Sequence, residues 1–317
     1  MTNSYKPEGM LYLSPENREY TASVSGLERA ACEGRILEAP VILCDSEMRL
    51  HVDLRGIRGI IEREEAVFSP AGEETKDIAI ITRVGKPTCF KVMGFFEENG
   101  KRFARLSRRE AQRECYSAYV STLERGDIID AKITRLESFG AFADVGCGIV
   151  SLLSIDCISV SRISHPSDRL SVGMEVRAVV KFIDRELHRI FLSQRELLGS
   201  WEENAREFKV GQTVAGIIRS VESYGIFIEL APNLAGLAEL RSEEDKAFLQ
   251  SMIGESCAVY IKSIIPERMK IKLVLVDVCR GELQKAPPKY YIGSDIEHID
   301  YWRYSPLTAQ KLVETVF

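Results

Sequence analysis

The sequence predicts a mainly β protein: three small five-stranded domains in tandem, joined by short helices. Three observations carry this. A string that opens at Gly126 recurs at Gly211, an offset of 85 residues that Gly140 and Gly225 keep. Such a period is too long for a solenoid unit and suits a small domain. Within each copy, short runs alternate apolar and polar residues with period two, broken by glycine and polar turns as strands are. Between copies, apolar residues fall at helical spacing.

Taken in order, 1–32 is expected to form an amino-terminal helical arm. Its signal is Ser14-Pro15-Glu16-Asn17, an N-cap followed by proline at the first helical position. A diverged copy follows over 33–109. Gly34-Arg35-Ile36-Leu37 opens it, Met48 to Leu54 supplies an alternating strand and Gly56 to Ile61 a glycine-punctuated one. Asn99-Gly100 turns its closing hairpin. A helical connector over 110–124 has Ala111, Cys115, Ala118 and Tyr119 at helix-like spacing. The middle copy spans 125–197, a second connector containing Trp201 spans 198–208, and the third copy spans 209–277. The tail, 278–317, is rich in aromatics, and its Trp302 and Tyr304 are expected to pack back on the last domain.

Strand parity locates the informative side chains. Ala141, Ala143 and Val145 share one face of a strand while Phe142 and Asp144 share the other; in the next copy Ile226, Ile228 and Leu230 oppose Phe227 and Glu229. With the aliphatic positions inward, Phe142 and Phe227 are expected to stand beside carboxylates on the solvent side. By the same register, His51 takes the aromatic's place in the first copy.

Composition excludes several classes. The 317 residues are 45% hydrophobic and 28% charged, which argues against a disordered or fibrous chain. The longest apolar runs, such as Ile78 to Ile81, are far shorter than the ~20 residues of a spanning helix. The amino terminus has no apolar stretch of signal-peptide length, so a cytoplasmic protein is expected. Eight scattered cysteines without a C-x-x-C pair read as small buried residues. With four isolated histidines, no zinc spacing arises, and neither metal nor cofactor is expected. Asp295, Glu297, His298 and Asp300 read as a solvated acidic turn. The net charge is −5, but residues 125–197 hold ten Lys+Arg and ten Asp+Glu, and 208–274 hold eight of each. The repeats are neutral, so a nucleic-acid partner would be held by stacking more than by bulk charge.

An exposed aromatic pair on a β face with cations nearby is a platform for unpaired bases. In the middle copy the candidates are Phe139 and Phe142, flanked by Lys132 and Arg135, with Arg177, Lys181 and Arg189 placed to meet phosphates. In the third copy they are Tyr224 and Phe227, with Arg219, Lys262, Lys270 and Lys272. The same aromatics could instead close an open barrel end or pack on a neighbour; parity alone leaves both open.

The strings Leu-Glu-Ser-Phe-Gly-Ala-Phe-Ala-Asp-Val and Val-Glu-Ser-Tyr-Gly-Ile-Phe-Ile-Glu-Leu, with Arg189-Ile190-Phe191-Leu192-Ser193 downstream of the first, resemble the S1 RNA-binding domain. Over roughly 30–277 the chain is similar to the bacterial ribosomal protein S1 family. The resemblance implies three tandem five-stranded OB-fold (S1-type) barrels joined by short helices. It also implies an RNA face made in the middle domain by Phe139, Phe142, Asp184 and Arg189. The family's histidine position holds Ser151 there and Ala238 in the third domain. In the third domain Pro266 stands at the aspartate position and Lys270 replaces the arginine. The leading domain, with Met48 and His51 at the aromatic positions, resembles the family's ribosome-docking domains.

The expected function is therefore a non-catalytic protein of translation that binds single-stranded RNA or mRNA, with the small ribosomal subunit as a second partner through the leading domain and no membrane partner. The rival is a protein-interaction scaffold whose barrels have lost RNA binding, in keeping with Ser151, Ala238, Pro266 and the acidic total. An enzyme is not expected, since no catalytic segment remains once three barrels are assigned.

Overall fold

The computed structural model describes residues 5–70, 72, 75–240, 243–279 and 287–317. Residues 1–4 of the expected arm and 280–286 of the expected tail lie outside these. The chain is mainly β, with three five-stranded barrels. Two compact units emerge. The first takes in residues up to Leu123 with Asp144–Ser151 and Asp184–Arg189, the second Glu124–Ala143, Leu152–Ile183 and Ile190–Phe317.

Two helices precede the first barrel, α1 (Pro15–Thr21) and α2 (Val24–Glu33). The Ser14 hydroxyl accepts from Asn17 N and that of Ser23 from Gly26 N, each satisfying a donor the helix start leaves open. Gly34, at φ 66°, ends α2 in the left-handed conformation that glycine tolerates best. The barrel then runs β1 (Ile36–Cys44), β2 (Leu50–Leu54), β3 (Ile57–Ile61), β4 (Pro87–Glu98) and β5 (Lys101–Ser107). Its strand order is β1-β2-β3-β5-β4, closed by the parallel pair of β3 and β5. Asn99 and Gly100, at φ 52° and 72°, make the tight β4–β5 turn. The short helix α3 (Asp77–Ile81) lies between β3 and β4. Leu27, Val41, Leu50, Val52, Phe90 and Leu106 fill the core.

Ser107 caps α4 (Arg108–Ala118), which leads to the middle barrel. Its strands are β6 (Ile128–Glu137), β7 (Gly140–Gly146), β8 (Ile149–Ser154), β9 (Glu175–Asp184) and β10 (Arg189–Ser193), with β10 parallel to β8. The helix α5 (Trp201–Ala205) begins in a capping box of Ser200 and Glu203. The third barrel comprises β11 (Thr213–Glu222), β12 (Gly225–Ala231), β13 (Leu234–Ala238), β14 (Ser256–Ile265) and β15 (Lys270–Cys279), with α6 (Glu243–Gln250) between β13 and β14. Inward positions alternate as parity requires: Ile226 and Ile228 are buried, as are Ala141, Ala143 and Val145.

The tail packs rather than projects. Trp302 and Tyr304 join Trp201 in the third barrel's core, and the Tyr304 hydroxyl donates to Asn233 O at 2.7 Å. Upstream, His298 forms an antiparallel bridge with Asp127, and Ile128 N donates to Glu297 O at 2.8 Å. Strands β16 (Tyr301–Arg303) and β17 (Glu314–Val316) form a separate two-stranded sheet. Among the described residues no helix is long and apolar enough to cross a membrane.

Candidate nucleic-acid interface

The two expected aromatic pairs share one geometry. Phe139, in the β6–β7 turn, is 53% exposed, and its ring meets that of half-buried Phe142 edge to face, centroids 6.0 Å apart at 90°. Tyr224, 64% exposed, meets Phe227 at 6.1 Å and 90°. The glycine after the first aromatic is required. A Cβ at Gly140 would lie 2.5 Å from Leu153 O, and one at Gly225 would lie 2.6 Å from Ala238 O. Backbone approach this close admits no side chain, so the strand turns directly beneath the exposed ring.

From Phe227 a row of outward side chains crosses the third barrel. Phe227 pairs with Leu237, and Leu237 with Lys272. The middle barrel repeats this lattice 85 residues earlier, since Gly140 abuts Leu152 Cδ1 as Gly225 abuts Leu237 Cδ1. Its row is Phe142, Leu152 and then Phe191, which pairs with Leu152. Phe182 joins it, 52% exposed, with its ring 5.9 Å from that of Phe191. The sequence reading omits Phe182 and Phe191. Parity marks Phe191 as outward between buried Ile190 and Leu192, whereas Phe182 shares the parity of buried Val176, Ala178 and Val180, so alternation alone would turn it inward. In the first barrel the row is His51, Ile60 and Arg105. His51 Nε2 is 2.9 Å from Asp45 Oδ2, and Met48 packs on the core, so this barrel presents no matching aromatic pair.

The expected cations divide. Lys262, Lys270 and Lys272 are exposed, and Lys262 and Lys272 line a groove with Leu237 and Glu239. Arg189 is exposed at the start of β10. The Arg135 guanidinium stands 4.7 Å over the Phe142 ring, and Lys132 lies half-buried on β6. Three others are held internally. Arg219 bonds Glu229 and Asp168; Arg177 donates to the tail carbonyls of Ile292, Gly293 and Ile296; Lys181 Nζ lies 2.9 Å from Cys157 Sγ. Asp184 Oδ1 accepts from Glu186 N and Leu187 N, so it shapes the hairpin turn.

The carboxylates beside the aromatics are not on the solvent side. Asp144 is 2% exposed and Glu229 is 4%. Both lie outside the barrel wall, as parity requires, but other segments cover them. Arg169 and Arg219 neutralise Glu229 at 2.6 and 2.7 Å. Asp144 accepts from Gly146 N, Gly148 N and Glu8 N. Burial, then the charge of nearby Glu8, pushes the Asp144 carboxyl up to about 7. For Glu8 burial opposes ionisation, but the Arg108 guanidinium, 2.7 Å away, outweighs it and holds the carboxyl at about 2. Glu38, wholly buried, accepts from Gly9, Leu11 and Tyr12 N on Oε2, while Oε1 finds no partner among the described residues. Burial raises its carboxyl to about 7. Ser151 and Ala238 are both buried.

His298 bonds Asp127 and Asp300, and among the described residues no group of His, Cys, Asp and Glu could hold a metal ion. All eight cysteines are free.

Several known proteins are similar to this chain in sequence. Residues 122–195 match the family described as the S1 RNA binding domain. The chain is 25% identical over 256 residues to the small ribosomal subunit protein bS1 of Rhizobium meliloti, covering 78% of this chain and 44% of that one. It is 36% identical over 164 residues to the bS1 homolog of Bacillus subtilis, covering 51% and 40%. GSP13 from Bacillus subtilis, solved in solution, is 31% identical over 23% of this chain and 57% of its own, with a TM-score of 0.23. The chain thus spans less than half the length of these two bS1 relatives. The middle barrel matches the S1 RNA binding domain family, and the chain that carries it is similar to the bacterial small-subunit protein bS1.

Proposed function

We propose that this protein binds single-stranded RNA, mRNA in particular, without catalysing a reaction, and that it does so by stacking unpaired bases on the aromatic pairs of its middle and third barrels. One observation carries the reading: the edge-to-face pair recurs in both barrels with the same spacing and angle, its first ring more than half exposed. Apolar rings left in water forfeit burial energy, and a base supplies a partner of matching shape. Arg189, Lys262, Lys270 and Lys272 are the exposed cations offered to phosphates, while Arg135 pairs with Glu137 at 3.0 Å and lies over Phe142. Linking two such barrels on one chain raises effective concentration, so neither need bind tightly.

The likeness to bS1 supports a place in translation, in the cytoplasm and in association with the small ribosomal subunit. Met48 and His51 at the first barrel's aromatic positions, the latter tied to Asp45, support leaving RNA stacking to the other two barrels and docking on the ribosome to this one. The test is binding of an unstructured oligoribonucleotide to the full chain, followed by fluorescence anisotropy. Affinity unchanged in a Phe139→Ala/Phe142→Ala/Tyr224→Ala/Phe227→Ala variant would overturn the stacking reading. Ribosome co-sedimentation tests the second partner.

A further inference from the structure

We propose that Phe182 and Phe191 form a second base-stacking step on the middle barrel, at the positions where the third barrel carries half-buried Ser263 and exposed Lys272, so that the two barrels hold single-stranded RNA by different chemistry. The proposal rests on the RNA reading above and adds to it which residues make the extra contact and of what kind.

The correspondence is positional. Gly173 and Gly254, which open the fourth strand of each barrel, are 81 residues apart. The same offset takes Phe182 to Ser263 and Phe191 to Lys272. Ser263 pairs with Lys272, as the Phe182 ring meets that of Phe191. Phe191 and Lys272 each continue the outward row from the platform, through Leu152 and Leu237 respectively. One lattice position therefore carries an aromatic in one barrel and an ammonium in the other.

Burial does not account for the aromatic choice. Phe182 is 52% exposed, so about half of its apolar surface gains nothing from folding. The two rings lie 5.9 Å apart and tilted by 41° in the same barrel as Phe142, and Phe182 stays half exposed beside its partner. An exposed ring in line with a stacking pair is a place for the next base. Lys272 instead shares its groove with Lys262, Leu237 and Glu239, a setting for a backbone phosphate.

The experiment measures affinity of the full chain for oligouridylate across a KCl series. Phe182→Ala/Phe191→Leu is expected to weaken binding by roughly fivefold or more, with the slope of log affinity against log salt unchanged. Lys272→Met is expected to make that slope shallower by about 0.7, and Phe191→Lys to steepen it by about 0.7, since each contacted phosphate releases counterions. If the Phe182/Phe191 variant binds as the parent while Phe139→Ala/Phe142→Ala does not, the second step is overturned and the RNA reading stands. If the parent does not bind, both fall. Ultraviolet cross-linking of 5-iodouridine RNA to the unmodified chain decides independently of variant folding. Adducts on the peptides bearing Phe182 and Phe191 support the step, and adducts confined to the Phe139–Phe142 peptide overturn it.

Discussion

Arg219 and Glu229 sit on adjacent strands of the third barrel with Nε 2.7 Å from Oε2, and neither side chain is more than 6% exposed. The strand bulges between Ile218 and Ser220, which turns Arg219 onto the carboxylate that Arg169 grips from the other side. The arginine therefore serves the fold. Arg219→Ala should destabilise the protein by roughly 3 kcal/mol, the cost of leaving a buried carboxylate half-compensated. Urea unfolding measures this, and the salt dependence of RNA binding should not change.

Tyr224 is the opposite case. Its ring contributes little to burial, so Tyr224→Ala should leave the unfolding midpoint nearly unchanged. RNA affinity should fall by about 1–3 kcal/mol, the worth of one stacked base. Titration by anisotropy checks both the loss and its insensitivity to salt.

The carboxyls of Glu38 and Asp144, raised to about 7, set a pH dependence. In the folded protein both hold their protons above the pH at which an unfolded chain would release them. Their stabilising contribution is complete below about pH 4 and is lost as pH rises through 7. Glu8, held at about 2, works in the reverse sense: its contribution is present above about pH 4.5 and disappears as pH falls toward 2. Stability should therefore be lower at pH 8 than at pH 5. Glu38→Gln, which mimics the protonated acid, should reduce that difference by on the order of 3 kcal/mol. Urea midpoints of parent and variant at the two pH values are the measurement; an unchanged difference would refute the assignment.

Thiol chemistry should separate the cysteines. Cys32 and Cys279 are exposed, while Cys89, Cys115, Cys147, Cys157 and Cys257 are buried. Burial pushes the Cys89 thiol well up and that of Cys257 to about 11, and the bond from Cys115 raises Cys147. An Ellman titration at pH 8 should modify Cys32 and Cys279 rapidly in the native protein and the five buried thiols only after denaturant is added.

The strands were legible in the sequence because alternation and turn chemistry are local: Asn99-Gly100, Gly140 and Gly225 each mark a turn by what the backbone must do there. The aromatic pairs were legible for the same reason. What escaped was coverage. Parity places Asp144 and Glu229 outside the barrel wall, but it cannot say that Glu8 N or Arg169 will come from distant sequence to bury them. Arg177 and Arg219 were read as phosphate ligands because an arginine on a strand looks alike whether it meets solvent, a tail carbonyl or a carboxylate. Phe191 is outward by parity, but Phe182 shares the parity of buried Ala178 and Val180, and only the closed sheet shows it exposed beside Phe191.

The row that crosses each barrel, ending in Arg105, Phe191 or Lys272, amounts to a socket with interchangeable heads. Its last position is held by backbone pairing common to all three copies, while the side chain it presents takes no part in closing the sheet. On the proposed RNA reading, a substitution there would change what a barrel grasps while the backbone pairing beneath it stays the same. Duplicated modules on one chain can thus drift apart in ligand chemistry at almost no thermodynamic risk.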